Sequence, residues 1–106
     1  TTNMMSADRF ALLPRGAVIV NTARGALVDE AALSDELRTG RLRAGLDVYT
    51  EEPLPNTSAL RGLPGCVMLP HVGSATQRTR QAMFQLALAN LMAGVTDAEL
   101  PAAVRL

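Results

Sequence analysis

Three apolar runs, each stopped by a polar or turn-forming residue, set the rhythm of the chain. Ala17-Val18-Ile19-Val20-Asn21 is continuous and β-branched, Arg43-Ala44-Gly45-Leu46-Asp47-Val48 is mixed, and Cys66-Val67-Met68-Leu69 runs into Pro70. Such runs suit strands, and the unbroken first one suits a strand buried on both faces, as in a parallel sheet. Around them the apolar positions return at helical spacing. Ser6 is placed to cap a short helix carrying Phe10, Leu12 and Leu13, which Pro14-Arg15-Gly16 ends. Asp29 is placed to cap a second helix whose Leu33 and Leu37 share a face, with Arg38 in the last turn and Gly40 just beyond. From about Thr76 to Ala93 the pattern is helical again. Met83, Leu86, Ala87 and Leu91 line one face and Phe84, Leu88 and Met92 another, which predicts burial on more than one side. Thr22-Ala23-Arg24-Gly25 reads as a loop. Glu51 to Asn56 reads as a rigid one, because Pro53 and Pro55 suit neither a helix nor a central strand. After Gly94 the pattern becomes irregular.

The order is therefore α-β-α-β-β-α, with connections suited to parallel strands, and an α/β fold is expected. At 106 residues the chain is one small domain at most, and 48% hydrophobic residues place it among globular chains. It opens on Thr1-Thr2-Asn3 without an initiator methionine, which reads as a piece of something longer. The formal net charge is zero and the ten basic residues, all arginines, are scattered. That spread argues against a nucleic-acid stripe and against binding to an anionic membrane surface. No apolar stretch is long enough to span a bilayer, and no signal peptide is read. The single cysteine, Cys66, lies in an apolar run and reads as a small buried thiol.

In parallel α/β sheets ligands sit beyond the carboxyl ends of the strands. Four side chains with usable chemistry fall there: Arg24 after the first run, Asp47 and Glu52 after the second, and His71, the only histidine, after the third. A guanidinium grips a carboxylate with a planar fork. An imidazole gives or takes a proton near neutral pH, and a neighbouring carboxylate orients it and favours its charged form. Together they suit proton transfer to the carbonyl oxygen of a 2-oxo acid. Each also has a structural reading: a surface arginine, a turn-forming aspartate, a solvated loop carboxylate, a histidine closing a strand. On chemistry alone Glu51 is as eligible as Glu52. One histidine and no second ligand at helical spacing speak against a metal site.

Asn21-Thr22-Ala23-Arg24-Gly25-Ala26-Leu27-Val28-Asp29, Gly45-Leu46-Asp47-Val48-Tyr49, Glu52-Pro53 and Leu69-Pro70-His71 resemble the signature run of the D-isomer-specific 2-hydroxyacid dehydrogenases. The similarity extends from Thr1 to about Gly94. The run Leu69 to Arg80 and the Leu100-Pro101 ending are most similar to the glyoxylate/hydroxypyruvate reductase branch. The resemblance implies the second half of a Rossmann-like doubly wound parallel sheet, three strands plus a long C-terminal return helix over 1–94, and a tail over 95–106. It implies an oxidoreductase moving hydride between NAD or NADP and a small 2-oxo or 2-hydroxy acid. Arg24 would hold the substrate carboxylate, Glu52 would pair with the histidine, and His71 would be the acid/base. Thr22, Ala23, Asp47, Gly73 and Ser74 would line the nicotinamide end of the cofactor site. Tyr49-Thr50-Glu51 receives no role. A homodimer of the full-length parent and a cytoplasmic location are implied as well.

The G-x-G-x-x-G phosphate loop of the family is not in the sequence, so the chain alone is expected to be inactive and to expose an apolar face. Two other readings follow from the same scaffold. One is an NADH-sensing binding module like the C-terminal-binding-protein corepressors, which usually lack the Gly-Ser-Ala-Thr run after proline-histidine. The other is an inactive structural remnant that associates through its open sheet edge.

Overall fold

The computed structural model describes residues 1–103, so the end of the expected 95–106 tail, residues 104–106, lies outside the described residues. The chain forms two compact units, Thr1–Val72 and Gly73–Leu106.

In the first unit the three apolar runs become strands β1 (Val18–Asn21), β2 (Arg43–Leu46) and β3 (Cys66–Met68). They pair in parallel in the order β1-β2-β3, with Ile19 level with Ala44 and Cys66, and Asn21 level with Leu46 and Met68. Parallel strands need crossovers. Here α2 (Glu30–Arg38) supplies the first, and the loop from Asp47 to Gly65 the second.

Strand geometry sends alternate side chains to opposite faces. On one face Ala44 and Leu46 meet α1 (Ala7–Ala11) and α2, and the core is there: Phe10, Leu33, Leu37, Leu42 and Leu60 are buried almost completely. The other face differs from the expected two-sided burial of the first run. Val18, Val20 and Val67 are 60%, 70% and 65% exposed, and Val20, Gly45 and Val67 form one row across the strands. A continuous apolar run marks a strand with two apolar faces; it does not say whether both partners belong to the same chain.

Local chemistry accounts for the helices. Asp29 Oδ1 accepts the Ala32 N–H at 3.0 Å, which caps α2 as expected, and Gly40 follows the helix with φ +67°. Ser6 precedes α1 in extended geometry but makes no side-chain cap, and Leu12, expected on that helix, follows it and is 83% exposed. Arg41 closes the other end of this helix: its Nη1 and Nη2 donate to the Leu13 and Phe10 carbonyls at 2.8 and 2.6 Å, while Nε pairs with Glu36. Carbonyls at a helix end have no partner within the helix, and the guanidinium fork supplies one. An extended N-terminal segment adds a parallel bridge, Met5 with Val28.

The second unit is built on α3 (Gln77–Val95). Thr76 caps it, its hydroxyl accepting the Thr79 N–H at 3.1 Å. Both apolar faces read from the sequence are present, but no residue of α3 is buried. The following segment turns back within the unit, where the Ala102 N–H donates to Asn90 Oδ1 at 3.1 Å.

Candidate active site

The carboxyl ends of the three strands are tied together by backbone bonds. The Asp47 N–H donates to Asn21 O at 2.9 Å, and the Leu69 N–H to Leu46 O at 2.8 Å. Asn21, Asp47 and Leu69 therefore lie side by side, and each loop beyond them starts from one edge.

The loop after β1 is shaped by Asn21, which is buried. Its Oδ1 accepts the Ala23 N–H at 3.1 Å and its Nδ2 donates to Arg24 O at 2.9 Å. An asparagine folding back on the backbone two residues ahead is a standard way to turn a chain at a strand end. Thr22, Ala23 and Arg24 are exposed as a result, and Gly25 begins a short 3-10 turn to Leu27, within a stretch that reads as a loop. Gly25 lies against the backbone of the next loop: a Cβ there would sit 1.8 Å from the Tyr49 carbonyl carbon.

The loop after β2 carries Glu52. Its backbone is held on α2 by Glu30, whose Oε1 accepts the Thr50 N–H at 2.6 Å. Tyr49 N–H donates to Glu52 Oε1 at 3.0 Å, and the Glu52–Pro53 peptide is cis. Glu52 Oε2 lies 2.7 Å from Nδ1 of His71. The hydrogen bond from His71, then that from Tyr49, hold the Glu52 carboxyl below its ordinary range. An ionised carboxylate only accepts, so the proton on this contact belongs to Nδ1, and Nε2 is left as the other working nitrogen of the neutral ring. Glu51 is exposed, and of the two neighbouring glutamates it is Glu52 that meets His71.

His71 itself has φ +57°, the left-handed region that costs a residue with a Cβ. Asp47, 3% exposed, holds this bend: its Oδ1 accepts the N–H of Val72 at 2.8 Å. Asp47 thus sits behind the histidine's backbone. Burial raises the Tyr49 phenol, with Cys66 adding to the shift, and burial also raises the Cys66 thiol. Cys66 is half-buried in β3 rather than fully enclosed.

Beside the pair is a cleft of about 580 Å³ lined by Tyr49, Glu52, Leu54, Arg61, Leu69 and His71, among others. Arg61 was not singled out in the sequence. Its Nε and Nη2 donate to the Pro55 and Leu54 carbonyls at 2.8 and 2.5 Å, so it braces the proline loop. Arg24 lies at the same sheet edge but does not join the pair. Its Nη1 donates to the Ala23 carbonyl at 2.6 Å, and among the described residues it forms no ion pair. Gly73 and Ser74 are exposed and open the second unit. Among the described residues no group of His, Cys, Asp and Glu could hold a metal ion, and no helix is long and apolar enough to cross a membrane.

The donor set can be tested against a nicotinamide cofactor. Thr22 and Ala23, exposed after β1, and the carboxylate of Asp47, buried after the adjacent β2, are of a chemistry that suits a nicotinamide carboxamide. No glycine-rich turn is available in the sequence to hold a pyrophosphate.

Known proteins resemble the chain in sequence and in fold. Residues 1–73 match the family model described as D-isomer specific 2-hydroxyacid dehydrogenase, NAD binding domain. The chain is 46% identical over 97 residues to glyoxylate/hydroxypyruvate reductase B of Serratia proteamaculans, covering 91% of this chain and 30% of the relative. It is 41% identical over 107 residues to the human glyoxylate reductase/hydroxypyruvate reductase, covering 100% of this chain and 33% of the relative. Among solved structures it resembles a Thermus thermophilus protein with TM-score 0.92 and 45% identity, covering 99% of this chain and 34% of that one. It also resembles an NADPH-dependent glyoxylate/hydroxypyruvate reductase of Sinorhizobium meliloti solved with NADP and malonate, with TM-score 0.88 and 40% identity, covering 97% of this chain and 32% of that one. The chain spans about a third of the length of the curated relatives it matches.

Proposed function

Since the chain belongs to the D-isomer-specific 2-hydroxyacid dehydrogenase family, as a portion of its NAD-binding domain, we propose that it supplies the acid/base half of a reductase for glyoxylate or hydroxypyruvate. The observation that carries this reading is the 2.7 Å contact between Glu52 and His71 Nδ1 at the end of β3. On this reading Glu52 orients the ring, and Nε2 of the imidazolium gives its proton to the substrate oxygen. The electron pair of the Nε2–H bond stays on the ring, which becomes neutral while Nδ1–H remains on Glu52. Arg24 holds the substrate carboxylate and polarises the adjacent carbonyl, leaving the Ala23 carbonyl to do so. NADH or NADPH, when bound, would supply hydride chemistry at the substrate carbonyl carbon. Thr22, Ala23, Asp47, Gly73 and Ser74 would hold its nicotinamide end.

The finer parts of the reading go together. Residues 1–94 form the second half of the dinucleotide domain with its return helix, and 95–106 a tail. The full-length parent is a cytoplasmic homodimer acting on a small 2-oxo acid. The 106-residue chain alone does not turn over on this reading, because its sequence carries no G-x-G-x-x-G phosphate loop. A rate assay with glyoxylate or hydroxypyruvate and NAD(P)H tests both levels. We expect no turnover from the chain, turnover from a longer polypeptide that joins it to a glycine-rich phosphate loop and a substrate domain, and loss of that turnover in His71→Gln. Robust turnover by the chain alone refutes the inactivity. An unchanged rate in His71→Gln refutes the assignment of the acid/base.

A further inference from the structure

Glu52 and His71 stand on different loops, and a pair held only by its own contact would drift with both of them. One residue touches the support of each. The backbone N–H of Tyr49 donates to Glu52 Oε1 at 3.0 Å, and its hydroxyl reaches the Leu69 carbonyl at 2.9 Å and the Leu46 carbonyl at 3.1 Å. A phenol has one proton and both oxygens are acceptors, so the hydroxyl is shared between the ends of β2 and β3. Leu69 is two residues before His71, and the residue between them is Pro70, whose ring fixes φ. An anchored Leu69 carbonyl therefore leaves few rotations before the imidazole. Tyr49 is itself well placed to act as a fixed point. It is 8% exposed within the core cluster, its carbonyl carbon abuts Gly25, and the next N–H is held by Glu30.

We infer that Tyr49 is a positioning residue of this site, setting Glu52 through its backbone and His71 through its hydroxyl, so that one residue registers both members of the pair and its side chain registers the His71 member. The inference deepens the function proposed above and rests on that reading of Glu52 and His71. It gives a role to a residue that the sequence comparison left without one. It also separates two duties that a buried tyrosine could have. Packing is done by the ring and would survive loss of the hydroxyl; registration would not.

The chain contains one histidine and one tyrosine, so the test reads each without ambiguity. Long-range 15N spectra of the imidazole report which ring nitrogen carries the proton in the neutral form. The unmodified chain should show the Nδ1–H tautomer. Tyr49→Phe should keep a folded amide spectrum and lose the single-tautomer pattern, the two ring nitrogens moving toward each other as the tautomers mix. Arg41→Ala removes the clamp on α1, at the other end of β2 from this loop, and should destabilise the chain while leaving the tautomer unmoved. A Tyr49→Phe spectrum with the original tautomer overturns the proposal, and so does an Arg41→Ala spectrum that changes as much. A second measurement keeps the phenol: with 3-fluorotyrosine at position 49, Glu52→Gln should move the 19F resonance, because Glu52 bonds both Tyr49 and His71. A resonance that Glu52→Gln leaves unmoved overturns the proposal even where Phe is not accommodated. No substrate or cofactor enters either measurement, so absent turnover bears on the proposed function and leaves these results standing.

Discussion

Glu52 is exposed by a third of its side chain, yet it is fixed by two donors, the ring of His71 and the N–H of Tyr49. Both favour its ionised form, and its pKa in the folded chain is depressed. The sign of the pH effect follows. The contribution is present above the ordinary glutamate value, about 4.3, and is lost as the pH falls through the lower folded value. Glu52→Gln should therefore flatten the acid side of the stability profile, read as urea midpoints between about pH 6 and pH 3; parallel profiles for the two proteins would remove Glu52 from this account. Chemistry alone does not separate Glu52 from Glu51, and only the loop geometry does so. The arginine, the glutamate and the histidine were legible as candidates because they end three strands. Asn21 and Arg61 were less so, since their work is to hold backbone carbonyls and amides that no residue pattern displays. His71 adds a second prediction at this scale. Its left-handed backbone penalises any Cβ, so His71→Gly should be more stable than His71→Ala by about 0.5–1 kcal/mol in chemical denaturation. Equal stabilities would mean the bend at 71 relaxes once the imidazole is gone.

The elements that position the site were read from signals of different strength. α2 was plain because a capping aspartate, two leucines four residues apart and a trailing glycine all agree. β1 was plain as a strand and misleading as to its surroundings, because a β-branched run carries no mark of which face its own chain covers. The turn Gly25–Leu27 and its contact with Tyr49 depend on tertiary approach, for which a lone glycine in a loop is a weak sign. That contact is testable. A methyl at position 25 would sit inside the Tyr49 peptide at 1.8 Å, against backbone that cannot turn aside as a side chain does. Gly25→Ala should cost about 2 kcal/mol or more in urea unfolding and should disturb the Thr50 amide resonance. A loss below about 0.5 kcal/mol would show that the two loops move apart freely. At α3 the apolar pattern was correct and the burial inferred from it is absent, since no residue of the helix is buried.

At the scale of the whole molecule the first unit is one-sided. Its core lies between the sheet and the helices α1 and α2, and its other face presents Val18, Val20 and Val67 to solvent. A row of exposed valines on a sheet with a free edge at β1 is a surface for association. The chain should bind an apolar dye and show concentration-dependent sedimentation. Val20→Thr combined with Val67→Thr should reduce both while leaving the unfolding transition within about 1 kcal/mol of its original position. Dye binding unchanged by the pair of substitutions would place the adhesive surface elsewhere. No residue of β1 belongs to the buried cluster itself, although Ala17 and Ile19 pack against it, so a strand added at the β1 edge leaves Phe10, Leu33 and Leu37 where they are. Such a unit is suited to complementation in trans. A separately made polypeptide that supplies an adjoining strand should associate with this one along β1 and lower its dye binding.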